Sequence, residues 1–344
     1  MSKYVRIIDI AKKLDLAPSS VSRALDDHYS ISPKTKKKVN ELAHKLGYQR
    51  NLHAISMKSK KSSLIGLLLP DFTSYFLYSL IKGINNVLET NKYNLVVMQS
   101  GSNHNTEVVN LQRLYAMRVD GILYSPTIET PNAAHLESSL VNNVPVVNFD
   151  RDCGSDDFFK VLVDDEYGAF CAVQHLVDVG CRRIAHISGP KTVKNAQNRS
   201  NGYKRALMAN GIEFLDELVV ESDFSIDNSI HHIKKLLELD PKPDGIFAVN
   251  DATALGCMSV IKGIGLDIPN DIAVIGYDDE TYSQYLNPSL STVKHPIFDM
   301  GELSAQLCLD QINNKGLLAV EKTVLKPKLI VRQSSKKRPY LHYA

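Results

Sequence analysis

The sequence has few cysteines, and their positions do not suit structural chemistry. The 344 residues include five, in an odd number and nowhere in a CxxC spacing. A disulfide framework or a cysteine zinc site needs paired or closely spaced residues, so this pattern argues against both. We therefore expect buried, reduced thiols at Cys153, Cys171, Cys181, Cys257 and Cys308.

Long hydrophobic runs are also missing. No stretch approaches the roughly 18 apolar residues that cross a bilayer. The first ten residues, MSKYVRIIDI, lack an apolar signal region with a small-residue cleavage site. The sequence predicts a cytoplasmic protein with no membrane partner.

The usual catalytic and cofactor motifs do not occur. The chain contains no GxGxxG, no GxSxG, and no GxxxxGK followed by Ser or Thr. The acidic runs 164–166 and 278–280 have no accompanying His or Cys set, and adjacent residues of a strand alternate between faces. The pair at 231–232, two histidines, fits a helix surface. We predict no enzyme activity, no cofactor and no metal.

The chain does contain a strongly uneven distribution of charge. Up to Ser63 it holds 14 Lys and Arg against 5 Asp and Glu, a net charge of +9, whereas the rest carries −7 within a total of +2. A basic module joined to a mildly acidic body is typical of a protein that binds DNA at one end. With 44% hydrophobic residues, the length suits two or three domains with a sizeable core.

The basic N-terminal part has the pattern of a helix-turn-helix. In the stretch 6–25, apolar residues recur at helical spacing at Ile7, Ile8, Ala11 and Leu14, and a second short run follows the turn. In that run Val21 and Leu25 share one face, while the outward face holds Ser19, Ser20, Ser22 and Arg23. Such a polar face can contact base edges in the major groove. The alternative is a small three-helix cap with a solvated polar face.

A third helix and a linker follow. Ser32 is a natural N-cap, Pro33 suits the first helical position, and Gly47 ends the helix. The polar, basic segment 49–63 is typical of a linker. Within it, residues 51–58 could form about two helical turns, which are marginal in isolation.

From Leu64 onward the sequence alternates apolar strands with amphipathic helices. The runs LIGLLLP, YNLVVMQ, DGILYS, VPVVNFD, IAHIS, LVVE, DGIFAVN and IAVIGYDD indicate parallel strands buried on both faces. The motif at Asp120-Gly121 recurs at Asp244-Gly245, which is a faint internal repeat. We predict an α/β fold with two doubly wound parallel-sheet lobes behind a helix-turn-helix headpiece.

Polar residues stand at the predicted carboxyl ends of several strands: Asp71, Asp150, Asn250 and Asp278. Ligands of doubly wound sheets bind at those ends. Carboxylates and amides facing one cleft suit a hydrogen-bond-rich small molecule. Each of these residues could instead cap a turn or helix, and Asp251 is a candidate for capping the helix that follows Asn250.

The N-terminal sequence resembles that of the lactose-repressor/galactose-repressor (LacI/GalR) family of bacterial transcription regulators. The resemblance rests on Asp9-Ile10-Ala11, the run from Ser20 to Arg23, the run from Ser32 to Thr35, and Leu46-Gly47-Tyr48. It implies a regulator that binds a palindromic operator as a homodimer and responds to a small-molecule effector. It also implies a periplasmic-binding-protein-like fold and a hinge helix in the linker. The predicted DNA-binding residues are Pro18, Ser19, Ser20, Ser22, Arg23, Ser32, Thr35, Tyr48, Asn51 and Met57.

In this family a leucine of the hinge enters the minor groove, and Met57 occupies the matching position here; the alternative is an ordinary linker residue. The resemblance implies an effector site formed by Tyr75, Phe76, Asp150, Arg199, Phe224, Asn250 and Asp278. A sugar or sugar derivative is the first expectation and a nucleobase the second. The competing classes are a two-lobed solute-binding protein without a regulatory role and an enzyme on the same scaffold.

The resemblance also sets the expected domain bounds. The headpiece covers 1–48 and the linker 49–63; the N-terminal lobe covers 64–163 plus 295–322. The C-terminal lobe covers 164–294 plus 323–333, and a tail covers 334–344. The tail has no leucine repeat, which favours a dimer over a tetramer.

The chain departs from the family pattern at four positions. Asp15 stands where glycine is common, Ala17 replaces a Ser or Thr cap, Pro18 lacks a polar group, and Arg50 replaces a proline. We expect the turn to survive because Asp tolerates left-handed backbone better than most residues. Direct readout should rest on Ser19, Ser20 and Arg23, with an apolar contact from Pro18.

Overall fold

A computed structural model of the chain describes residues 5–49, 61–70, 75–314 and 318–336. The chain divides into two compact units, residues 1–62 and residues 63–344. The predicted hinge helix, with Asn51 and Met57, lies outside the described residues, and so does Asp71. Within the described ranges, no helix has both the length and the apolar content needed to cross a membrane.

The N-terminal unit, the headpiece, contains three helices: α1 (Ile7–Leu14), α2 (Pro18–Leu25) and α3 (Pro33–Lys45). Each helix contributes two fully buried side chains to a small common core formed by Ile10, Ala11, Val21, Ala24, Val39 and Ala43. The sequence-based prediction was wrong for Ile8, whose side chain is 43% exposed. Helical spacing places Ile10 and Ala11 together on the inner face, so Ile8 turns outward.

The turn and caps of the headpiece follow the predicted chemistry. Asp15 has φ 51° and ψ 48°, which is the left-handed conformation. Ala17 precedes α2 without a side-chain cap, and Pro18 takes the first helical position. The hydroxyl of Ser32 accepts a hydrogen bond from the Thr35 amide at 3.2 Å, which caps α3.

The first lobe of the larger unit has a six-stranded parallel sheet in the order β11-β5-β4-β3-β1-β2. Its strands are β1 (Leu64–Leu69), β2 (Asn94–Gln99), β3 (Gly121–Tyr124), β4 (Val146–Phe149), β5 (Phe159–Val163) and β11 (Lys322–Leu325). Its helices are α4 (Tyr75–Thr90), α5 (His104–Ala116), α6 (Glu137–Val141) and α11 (Ile297–Asn313). Ile65 and Leu67 face a core with α4 and α11, and Leu68 faces the core with α5. Burial on both faces explains the continuous apolar run.

The second lobe repeats this arrangement in the order β12-β10-β9-β8-β6-β7, in which only the β10–β12 pair is antiparallel. Its strands are β6 (Ile184–Ser188), β7 (Val219–Glu221), β8 (Gly245–Ala248), β9 (Ala273–Asp278), β10 (Ser291–Lys294) and β12 (Lys328–Ile330). Its helices are α7 (Asp165–Asp178), α8 (Lys194–Ala209), α9 (Ile226–Leu237) and α10 (Asp251–Gly263).

The repeated Asp-Gly motif occupies equivalent places in the two sheets. Gly121 opens β3 and Gly245 opens β8, and each strand lies third from the same end of its sheet. The aspartate before each glycine makes the same kind of contact, in which its carboxylate accepts a hydrogen bond from a backbone amide. Asp120 accepts a hydrogen bond from the Ser63 amide at 2.9 Å, and Asp244 accepts one from the Arg183 amide at 2.9 Å. These contacts account for the internal repeat.

Two predicted boundaries at the C-terminus were wrong. The segment 323–333, which was expected to lie in the second lobe, is divided between the lobes: β11 pairs with β5 of the first sheet, and β12 pairs with β10 of the second. Pro327 lies between them and has no N–H to continue a ladder, so the chain changes lobes there. The expected tail also begins too early. Ser334 is fully buried and donates to the Val274 carbonyl at 2.6 Å.

Candidate functional site

The outward face of α2 carries the side chains predicted to read bases. Pro18, Ser19 and Arg23 are exposed, and Ser20 and Ser22 are half-buried. The opposite face is anchored in the headpiece core. Side chains that are exposed and fixed on a short, packed helix are available for contacts in a DNA groove.

Three other predicted DNA contacts have structural roles in the headpiece. The hydroxyls of Ser32 and Thr35 lie 2.9 Å apart, within the cap of α3. Tyr48 is half-buried and packs against the headpiece core. Thr35 and Tyr48 therefore stabilise the fold at positions where only part of each side chain reaches solvent.

The region after α2 presents an aromatic residue that the sequence analysis did not select. The Tyr29 side chain is 91% exposed and its ring stacks on His28 at 4.3 Å between centroids. Nearby, the ammonium of Lys36 lies 2.7 Å from the Asp27 carboxylate and lowers the pKa of that carboxyl through a hydrogen bond and its charge. An isolated aromatic outside a periodic pattern gives no sequence signal.

In the larger unit, a cleft of about 520 Å³ lies between the lobes at the carboxyl ends of the strands. Six of the seven predicted effector residues line it: Phe76, Asp150, Arg199, Phe224, Asn250 and Asp278. The side chain of the seventh, Tyr75, lies outside the described residues, although its backbone begins α4. A cleft of this size suits a small molecule.

Arg199 is buried in the wall of the cleft and is already well partnered. Its Nε donates to Asp165 Oδ1 at 2.8 Å, and its Nη1 donates to the Val249 carbonyl at 2.6 Å. Its Nη2 lies 3.5 Å from Asp278 Oδ1, and its guanidinium lies over the Tyr277 ring. Burial disfavours its charge, but Asp165 and Asp278 outweigh burial and raise the pKa of Arg199. The guanidinium is therefore a fixed charge at the site.

Two carboxylates face each other from different lobes. Asp150 follows β4 and Asp278 ends β9, and both have left-handed backbone, with φ 62° and φ 108°. Burial is the largest cause that raises the pKa of each carboxyl. Strained backbone at polar residues in a cleft is typical of ligand sites.

The assignment of roles at Asn250 and Asp251 was wrong in one respect. Asn250, not Asp251, caps α10: its Oδ1 accepts from the Thr253 amide at 2.8 Å, and its Nδ2 donates to the Phe224 carbonyl at 3.2 Å. Asp251 is buried behind the cleft and accepts a hydrogen bond from the Ser283 hydroxyl at 2.6 Å. The N-cap residue precedes the first helical residue, and helix α10 starts at Asp251.

The apolar wall of the cleft comes from both lobes. Phe224 of the second lobe and Ile128 of the first both pack against Val193 and Val249. Phe76 meets the ring of His295 edge-on, at 6.1 Å between centroids. Aromatic rings beside carboxylates suit a ligand with both a flat apolar face and polar edges.

Sequence reasoning missed two residues that contact Asp150 in this cleft. Asn195, at the start of α8, donates to Asp150 Oδ1 at 3.3 Å. His295 is buried, its Nε2 lies 3.9 Å from Asp150 Oδ1, and burial lowers its pKa to about 4. Asp165, which the sequence analysis placed in an acidic run without a role, fixes Arg199. Each of these roles depends on a contact between distant parts of the chain.

Metal-ligating residues are grouped elsewhere. Within the described residues, one set of His, Cys, Asp or Glu donors is close enough to hold a metal ion, at His104, Glu107 and His135 in the first lobe. These residues are not in the lining of the cleft.

Comparison with known proteins finds matches along the whole chain. A family model described as bacterial regulatory proteins, lacI family, matches residues 6–51, and a periplasmic binding protein-like domain matches residues 173–335. Catabolite control protein A of Priestia megaterium is 34% identical over 333 residues, which cover 96% of this chain and 99% of that protein. Because the match includes the headpiece, the alternative of a solute-binding protein without a regulatory role has no support.

Two solved structures have a similar fold. The lac repressor dimer bound to operator and the anti-inducer ONPF is 25% identical with a TM-score of 0.85, over 97% of this chain and 99% of that one. The complex of the transcriptional regulator CelR with cellobiose is 27% identical with a TM-score of 0.73, over 96% and 99%.

Proposed function

The chain belongs to the lacI family of bacterial regulatory proteins, and we propose that it binds a palindromic operator as a homodimer under the control of a sugar or sugar derivative. The observation that carries the effector proposal is the cleft, which combines Asp150, Asp278 and the buried Arg199 with the ring of Phe224. Carboxylates accept hydrogen bonds from hydroxyl groups, the guanidinium donates to oxygens, and an aromatic ring covers the apolar face of a sugar.

Relatives support both parts of this proposal. The CelR structure contains cellobiose, and the lac repressor structure is a dimer on operator DNA. In this chain the exposed face of α2 supplies base contacts from Ser19, Ser20 and Arg23. Because operator DNA is the target, we place the protein in the cytoplasm, and because the effector acts as a signal, we expect no turnover.

The cleft suggests how an effector changes DNA binding. Asp150 belongs to the first lobe and Arg199 to the second, so one ligand contacts both lobes. In the described structure Asn195 and Asp150 already join the lobes by a hydrogen bond at 3.3 Å. An effector that favours one lobe arrangement shifts the population toward it, by no more than its difference in affinity for the two arrangements.

The effector class is tested by a thermal-shift screen of residues 63–344 against sugars, sugar phosphates and nucleobases. Binding of one sugar should raise the melting temperature, and the stabilisation should grow with the logarithm of one plus the ratio of sugar concentration to Kd. Arg199→Lys should weaken that shift because Lys lacks the planar fork of donors. Stabilisation by a nucleobase and by no sugar would contradict the sugar proposal.

A deletion tests whether operator binding and effector binding reside in separate parts of the chain. Protein without residues 1–60 should lose operator binding and keep effector binding. The full chain is the control, with an operator selected from a random DNA library. Loss of both activities in a folded truncated protein would show that the two sites are not separate modules.

A further inference from the structure

A polar cluster in the first lobe lies outside the cleft and has no part in the proposed function. Its centre is Glu107, a fully buried carboxylate on the first turn of α5. His104 is the first residue of the same helix, three positions before Glu107, and its side chain is 28% exposed. His135, with its side chain 6% exposed, comes from the short 3₁₀ helix Ala134–Leu136.

The three side chains bring their possible metal-ligand atoms close together. His104 Nδ1 lies 3.3 Å from Glu107 Oε1, and His135 Nε2 lies 3.0 Å from the same oxygen. All three donor atoms lie within 4.8 Å of one another. A tetrahedral zinc ion with bonds of about 2.0–2.1 Å holds its ligands roughly 3.3 Å apart, so the two short separations already match a coordination shell.

From this geometry we propose that His104, Glu107 and His135 bind a divalent transition-metal ion of the zinc class. Two imidazole nitrogens and one carboxylate oxygen are a ligand set that such ions accept, with a fourth position left for water. The exposed part of His104 provides the route by which an ion enters.

The carboxylate is held in place by groups that are not ligands. Glu107 Oε2 accepts hydrogen bonds from the Thr127 amide at 2.8 Å and from the Thr130 hydroxyl at 3.0 Å. The Tyr124 hydroxyl donates to Oε1 at 2.8 Å. A carboxylate held in one orientation by such hydrogen bonds is what a metal ligand requires.

The position of the cluster gives the metal a role in the wall of the cleft. The helix that contains His104 and Glu107 follows Gly101 and Ser102 in the chain, and Thr127 directly precedes Ile128. Gly101, Ser102 and Ile128 line the cleft. A bound ion would hold the start of α5 to the segment 127–135. The metal site would therefore stiffen part of the effector wall from behind.

The test uses untagged full-length protein freed of metal and titrated with Co²⁺, whose visible d–d absorption distinguishes tetrahedral binding from weak surface binding. We expect one equivalent to bind with a tetrahedral spectrum, and Zn²⁺ to displace it. His104→Ala, at the exposed edge of the cluster, should weaken binding by at least the roughly 10- to 100-fold that loss of a group supporting a metal ligand usually costs. Glu107→Gln should abolish the spectrum.

The matched control is His231→Ala, on an exposed helix position beside His232. This variant removes a histidine pair that could also bind a metal ion, and it should leave the Co²⁺ spectrum and the Co²⁺ affinity unchanged. No tetrahedral spectrum in the unaltered protein would overturn the proposal, and so would a spectrum that His104→Ala keeps and His231→Ala removes. Circular dichroism of each variant separates lost binding from lost folding.

Discussion

Two arginines, Arg23 in the headpiece and Arg199 in the cleft, show how differently the two parts of this protein hold their functional residues. Arg23 is exposed on α2, where it can reach a partner. Arg199 is 6% exposed and already bonded to Asp165 and Val249. A DNA-reading side chain must be free to meet another molecule, whereas a ligand site gains from side chains fixed before the ligand arrives.

The surroundings of the two arginines differ in the same way. The headpiece has a core of six buried side chains, five of them alanine or valine. The larger unit has extensive cores on both faces of each sheet. We therefore expect substitutions in the cleft to affect both folding and binding, and substitutions on the exposed face of α2 to affect binding alone.

The largest effect is expected for Arg199→Ala. Removing the guanidinium leaves Asp165 buried without its charged partner, and breaking a buried pair costs about 3–5 kcal/mol in the free energy of unfolding. Arg205→Ala, on the same helix and paired with Glu166 near the surface, is the matched control and should cost under about 1 kcal/mol. Chemical denaturation of residues 63–344 measures both. Equal losses would contradict the assigned burial of Arg199.

The second effect is that the larger unit loses stability in acid. His186 is fully buried between Tyr203 and Phe247, and burial lowers its pKa to about 4. The unfolded chain takes up this proton below about pH 6.5 and the folded chain does not. Stability therefore falls as the pH drops from about 6.5 to about 4, by about 3 kcal/mol in all.

The variant His186→Asn keeps a donor for the Phe247 carbonyl and cannot titrate. It is expected to be less stable than the natural protein at neutral pH, and this gap should shrink by about 3 kcal/mol on reaching pH 4. Urea unfolding at several pH values measures the gap. His44→Asn, on the exposed surface of α3, is the control; the same shrinkage there would assign the effect to overall charge.

Arg23→Ala should act on DNA binding and leave unfolding unchanged. If the guanidinium reads a base, affinity for the selected operator falls by about 1–3 kcal/mol, while affinity for random DNA changes little. Fluorescence anisotropy on both DNAs measures the difference. An equal loss on both would make Arg23 a phosphate contact and would weaken its contrast with Arg199.

The smallest effect is a gain in headpiece stability from Ala17→Ser. Ala17 makes no side-chain cap, so amides in the first turn of α2 lack a side-chain acceptor. A serine hydroxyl there should add about 1 kcal/mol to the stability of the headpiece. Ala17→Val, which has no oxygen, should give no gain. Thermal unfolding of the headpiece compares the two, and equal changes would mean that capping is not the cause.

Local signals in the headpiece were strong enough to predict most of its structure. Ser32, Pro33 and Gly47 mark helix ends by their own backbone chemistry, and the left-handed Asp15 was expected for the same reason. The exposure of Ile8 was not predicted, because α1 has more apolar residues than its buried face can hold. In the larger unit, the apolar runs predicted the strands, but the change of lobes at Pro327 depends on which sheet each short strand joins.

The prediction of the cleft was less complete for a similar reason. Strand-end residues such as Asp150 and Asp278 could be selected because parallel strands bring their carboxyl ends together. The partners that fix them, Asn195 and Asp165, could not, because each contact joins residues far apart in the chain. The same holds for His104 and His135, which only the folding of the segment after β3 brings to one carboxylate.

By itself the sequence determined the helix-turn-helix, the two doubly wound lobes, the family and the strand ends that line the cleft. These follow from periodicity, caps and apolar runs, which are interactions between near neighbours in the chain. Only the tertiary structure decided that Arg199 is buried, that Asn250 caps a helix in place of Asp251, and that His104 and His135 converge on Glu107. Those outcomes depend on burial and on long-range contacts, and neither property belongs to any short stretch of sequence.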